Sequence, residues 1–63
     1  MTKRISILVV EDNRLVRDGI IAMLGEQPDL RVVAAVDRPP VALEKARAVK
    51  PDVVLVEIGR AHV

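Results

Sequence analysis

Apolar and polar residues divide this chain into five blocks. Ile5 to Val10 (ISILVV) is a nearly continuous apolar run rich in branched side chains and bounded by charge. Such a run marks a strand covered on both faces in a parallel sheet. From Asn13 the period changes. Leu15, Val16, Gly19, Ile20, Met23 and Leu24 recur at helical spacing and are expected inward, with Arg14, Arg17 and Asp18 left to solvent. Gly25 follows the last periodic residue, where a left-handed cap is favoured, and Pro28 with Asp29 opposes further helix. Leu30 to Val36 (LRVVAAV) reads as a second strand. Asp37 then precedes Pro39 and Pro40, which suit a turn and the first helical positions, so a second helix starts near residue 40. Across residues 41–50, Leu43, Ala46 and Val49 are expected inward, while Glu44, Lys45 and Arg47 form a solvated face. Pro51 closes that helix, and Asp52 leads into VVLV, again a doubly covered strand by composition.

The order strand, helix, strand, helix, strand implies an α/β fold: a parallel sheet joined by right-handed crossover helices. Ligands of such sheets gather where the strands deliver their carboxyl ends. At 63 residues the chain is at most one small domain. A unit of that size buries only ~60% of its unfolded surface. With no cysteine and the single histidine His62, neither a disulfide nor a histidine–cysteine metal site reinforces it. Aromatic residues are absent, so there is no platform on which bases stack. The net charge is +1 and basic residues alternate with acidic ones along the chain, so no basic patch for nucleic acid is expected. MTKR is followed by six mainly apolar residues and then Glu11 and Asp12, too short a run for a signal peptide or membrane span. A cytoplasmic location is expected.

Strand one ends at Glu11 and Asp12, and strand three ends at Glu57. Three carboxylates therefore reach one edge of the sheet from distant parts of the sequence. Two unit charges ~4 Å apart repel by ~4 kcal/mol at an effective dielectric near 20, a cost that a bound cation relieves. Mg2+ suits the set, because it takes oxygen ligands, needs only one or two carboxylates and retains exchangeable waters. The alternative is purely structural: Asp12 or Asn13 caps the first helix and Glu11 is simply exposed. A nucleotide-binding half-domain fits the alternation but not the glycines, since VEDNRLVRDG contains no GxGxxG.

ILVVEDNRLVRDGIIAMLGEQPDLRVVAAV, followed by ALEKARAVKPDVVLVE, resembles the receiver domain of bacterial two-component response regulators. The NarL/FixJ-like class, whose first helix commonly reads LVRxG, is the nearest in pattern. The likeness covers residues 5 to 57 and rests on the combination of an acidic pair, a helix directly after it, and a KPDVVLV strand closing on a third acid. It implies the N-terminal half of a flavodoxin-like receiver, truncated after strand three. Such a domain is not an enzyme in its own right but a phosphoacceptor for a sensor histidine kinase, with Mg2+ in the acidic pocket. By position, Asp12 would bind the metal directly, Glu11 through a water, and Glu57 would occupy the phosphoacceptor position, with the Gly59 carbonyl as a further ligand. The implied parent is a dimer that reaches promoter DNA through a LuxR-like domain absent from this chain.

Two departures stand out. Position 57 is Glu where the family has Asp, and an extra methylene displaces the carboxylate in a reaction that depends on positioning. The family's later hydroxyl and lysine residues also lie beyond residue 63. The letters EIGRAHV have another reading: GAG ATC GGA AGA GCA CAC GTC would encode them, and that string resembles the beginning of a widely used sequencing adapter. Residues 1–57 are accordingly expected to be receiver sequence and residues 58–63 a translated adapter, with Glu57 a hybrid codon and Gly59 and His62 without a role. The alternative is a phosphorylation-independent pseudo-receiver that docks partners and in which Glu57 is genuine. Either way, VVLV is expected to be left as an apolar sheet edge.

Overall fold

The central position of the first strand follows from its composition: it has side chains to bury on both faces, and it receives a neighbour on each side. The computed structural model describes residues 3–57. In it β1 (Ile5–Val10) lies between β2 (Leu30–Val36) and β3 (Val53–Val56), both parallel to it, in the order β2-β1-β3. Helices α1 (Arg14–Gly25) and α2 (Pro39–Val49) form the two crossovers. The chain moves from β1 to one side and then back past β1 to the other, so right-handed crossovers place the two helices on opposite faces. This is the β-α-β-α-β half of a flavodoxin-like fold that the residue pattern implies.

Leu8 and Val9 are fully buried, and Ile7 and Val10 nearly so. Leu8 and Val10 share a cluster with Val36 and Ala42, joined at its margin by Ala34, Val41 and Ala46. Pairing with β2 is interrupted once: Ile7 faces Val32 and Leu8 faces Ala34, so Val33 is an extra residue, a β-bulge.

Asn13 caps α1, its side-chain oxygen accepting from the Val16 amide at 3.0 Å. Helix α2 begins with Pro39 and Pro40, where an amide would have no helical partner in any case.

Three expectations about side-chain placement are corrected. On α1 the less exposed line is Arg17, Ile20, Ile21 and Leu24, at spacing i, i+3, i+4, i+7; Leu15 is 81% exposed, and Val16, Gly19 and Met23 also face outward. Apolar residues occupy so much of this helix's circumference that their period alone does not fix which part faces the sheet. On α2, Val41, Ala42, Ala46 and Val49 turn inward and Leu43 is 57% exposed. Contrary to what its composition suggests, the strand β3 is not covered on both faces, since its four residues are 37–47% exposed; it forms the apolar sheet edge expected of VVLV.

The left-handed cap also falls elsewhere. Gly25 is the last residue of α1, and the chain leaves through Glu26 in a right-handed conformation. It is Lys50, after α2, that adopts φ 47° and ψ 63°, donating its amide to the Ala46 carbonyl at 2.8 Å just before Pro51.

Candidate functional site

The parallel ladder sets the site. Val10 pairs with Val56, and the Glu57 amide donates to the Val10 carbonyl at 3.0 Å. On the other side the Glu11 amide donates to the Val36 carbonyl at 3.0 Å. Glu11 and Asp12 therefore leave the sheet at the same edge as Glu57, at the carboxyl ends of adjacent strands. This is the convergence that the sequence implies at the backbone level.

The side chains are unequal. Glu11 is buried, at 1% exposure, whereas Asp12 and Glu57 are exposed. One Glu11 carboxylate oxygen, Oε2, accepts from the Asn13 amide at 2.8 Å; the other, Oε1, is buried without a hydrogen-bond partner. The Glu11 carbonyl accepts from Arg17 Nη1 at 2.9 Å. Burying a carboxylate with one oxygen unpartnered is costly, and a divalent cation with oxygen preference fits that vacant acceptor. Among the described residues, no three His, Cys, Asp or Glu side chains are grouped as a ready-made metal cage. Glu11 and Asp12 would supply at most two carboxylates, which is a set that suits Mg2+. Gly59 and His62 lie outside the described residues.

The structural alternative is resolved in part. Asn13 takes the capping role, so Asp12 is not needed for it, and Glu11 is not an exposed residue. Arg17, assigned to solvent by its charge, instead lies half-buried against the acidic edge. Its only sequence signal was its place four residues before Ile21 and seven before Leu24, a line that charge obscured.

The opposite end of the sheet carries a second feature that sequence order hid. Lys3, Arg4, Arg31 and Lys50 surround a cleft of about 600 Å³ with Ser6 and Asp52. Four cations thus gather at one edge although basic and acidic residues alternate along the chain, because parallel pairing brings the strand starts together. Asp52 is tied to Ser6: its carboxylate accepts from the Ser6 amide at 2.9 Å and hydroxyl at 3.1 Å, and its own amide donates to the Ser6 hydroxyl at 2.9 Å. The Ser6 backbone and side-chain hydrogen bonds, aided by Lys3, hold the Asp52 carboxyl below its ordinary 3.8.

Comparison with known proteins agrees with this architecture. The chain is 48% identical over 54 residues to response regulator GacA of Pseudomonas syringae pv. syringae, an alignment covering 86% of this chain and 25% of the relative. The chain is a homologue of response-regulator receivers. GacA of Pseudomonas aeruginosa is 46% identical over the same length, with the same coverage of each protein. A protein-glutamate methylesterase/protein-glutamine glutaminase of Pseudomonas syringae pv. tomato is 39% identical over 56 residues, 89% of this chain and 16% of the relative. The receiver sequence here thus spans about a quarter of the GacA proteins and a smaller part of the methylesterase. No family model and no solved structure matches it. Among the described residues, no helix is long and apolar enough to cross a membrane.

Proposed function

We propose that residues 1–57 are the N-terminal half of a receiver domain that takes a phosphoryl group from a sensor histidine kinase in a Mg2+-dependent manner. Position 57 supplies the nucleophile: a carboxylate oxygen attacks phosphorus as the bond to the kinase's histidine nitrogen breaks. An acyl phosphate forms, and the departing nitrogen keeps the electron pair. Asp12 and Glu11 would hold Mg2+, which when bound neutralises charge on the transferring phosphoryl oxygens. The observation that carries this reading is the buried, unpartnered Glu11 oxygen at the strand edge shared by Asp12 and Glu57.

The output of the whole protein belongs to the same proposal: transcription controlled through a LuxR-like DNA-binding domain, in a cytoplasmic and dimeric parent. The relatedness to GacA supports a response regulator, while the methylesterase relative leaves an enzymatic output as the competing prospect. Residues 58–63 are read as foreign to the domain.

Two measurements test the reading. Titration of the 63-residue chain with Mg2+, followed by amide NMR, should move the Glu11, Asp12 and Asn13 signals. The intact parent receiver, incubated with acetyl phosphate and Mg2+, should gain a hydroxylamine-sensitive acyl phosphate at position 57. A receiver that takes no phosphoryl group from acetyl phosphate or from a kinase, and binds its partners equally well with position 57 changed to Ala, would establish the pseudo-receiver instead.

A further inference from the structure

We infer that Arg17 is a positioning residue for the acidic edge. Its guanidinium holds the Glu11 carbonyl, so that the adjacent carboxylate keeps one oxygen on the Asn13 amide and leaves the other for a divalent cation. The second half of this inference rests on the cation-site reading above.

An arginine on the inner line of a short helix needs an explanation, because that line otherwise carries Ile20, Ile21 and Leu24. A long charged side chain is retained in such a place only if its hydrogen bonds are met. Arg17 turns one donor to a carbonyl rather than to a carboxylate: Nη1 reaches the Glu11 oxygen at 2.9 Å, and Arg17 forms no ion pair with Glu11 among the described residues. A residue serving as the counter-charge of Glu11 would point its fork at the carboxylate. Here the carboxylate's charge stays unspent while its backbone is fixed.

Glu11 is tied at three points. Its amide is on Val36, its carbonyl on Arg17 and its Oε2 on the Asn13 amide. Those ties leave little rotational freedom to the remaining oxygen, Oε1, which is buried and unpartnered. Groups that orient a metal ligand without touching the metal commonly matter to affinity by ~10–100-fold. Arg17 occupies that role by reaching back from the first turn of α1 to the end of β1.

The test uses the 63-residue chain with Arg17→Lys and Arg17→Met. Arg17→Lys keeps the charge but gives up the planar fork and its reach; Arg17→Met keeps only the apolar stem. Amide hydrogen exchange without Mg2+ is read first, with the interior β1 amides as the control for intact folding. Both variants should speed Asn13 exchange by about tenfold relative to those amides, and both should weaken Mg2+ binding by ~10-fold or more. Unchanged Asn13 exchange in both variants overturns the inference. So does a Lys variant that matches the parent chain in both readouts, or a Met variant that binds Mg2+ more tightly, because either result would make Arg17 a charge and not a positioning group. If the unsubstituted chain shows no Mg2+ response, the cation reading falls, and Asn13 exchange still decides whether Arg17 positions Glu11.

Discussion

Glu11→Gln separates the cost of the acidic edge from its use. Glu11 is 1% exposed, with one oxygen on the Asn13 amide and the other unpartnered. Holding an ion in such a place costs several kcal/mol, offset by ~1.5–3 kcal/mol from a hydrogen bond to a charged acceptor. Glutamine retains the shape and an oxygen for the Asn13 amide. Its NH2 group replaces one unpartnered polar atom with another of similar cost, and the charge is gone. The expected balance is a gain of ~1–2 kcal/mol in chelator, or roughly 5–15 °C in melting temperature for a chain of this size. In Mg2+ the order should reverse. A site occupied at 100 times its dissociation constant adds ~2.7 kcal/mol to the glutamate chain and little to the glutamine one. Far-UV circular dichroism of α1 and α2 is the assay, in urea and on heating, because the chain has no aromatic residue to report by fluorescence. A Glu11→Gln chain less stable than its parent in chelator, with both responding equally to Mg2+, would refute the reasoning.

Three further outcomes are expected. Leu8→Ala, at a fully buried position, should cost ~2–5 kcal/mol and unfold most of the chain, whereas Leu15→Ala, on the outer face of α1, should change the urea midpoint little. Because the Asp52 carboxyl is held below 3.8, its contribution to stability is complete above that value and is lost as pH falls through the depressed folded value; Asp52→Asn should therefore flatten the acid limb of a pH–stability curve below about pH 4. Val54→Lys, placing a charge on the exposed β3 edge, should raise the soluble concentration measured by light scattering without altering the helical signal.

The elements were legible because each is short, strongly patterned and punctuated. Ile5–Val10 and Leu30–Val36 are the runs the composition marks, and Pro39 with Pro40 announces α2. The rotation of the helices was not legible. Leu15, Val16 and Met23 have the right spacing for a buried stripe, yet the sheet meets the neighbouring line through Arg17. Propensity misled at the helix ends in the same way: Gly25 was the better candidate for positive φ, but Lys50 takes it where the chain must turn into Pro51 and β3. Within the site, the delivery of the backbone at Glu11, Asp12 and Glu57 to one end of the sheet followed from parallel order alone, without the three side chains grouping as a cage among the described residues. The burial of Glu11 and its ties to Asn13 and Arg17 depend on how β1 joins α1, which no spacing rule encodes.

The extra residue in β2 has a consequence for how this half-domain tolerates change in length. Ile7 already faces Val32, and Leu8 already faces Ala34, so removing Val33 would join two stretches whose partners are in place. Most strands lose their sidedness when shortened by one position. This one has a spare link in its middle, so a deletion there should leave every other pairing, and the acidic corner it supports through Val36, where it stands.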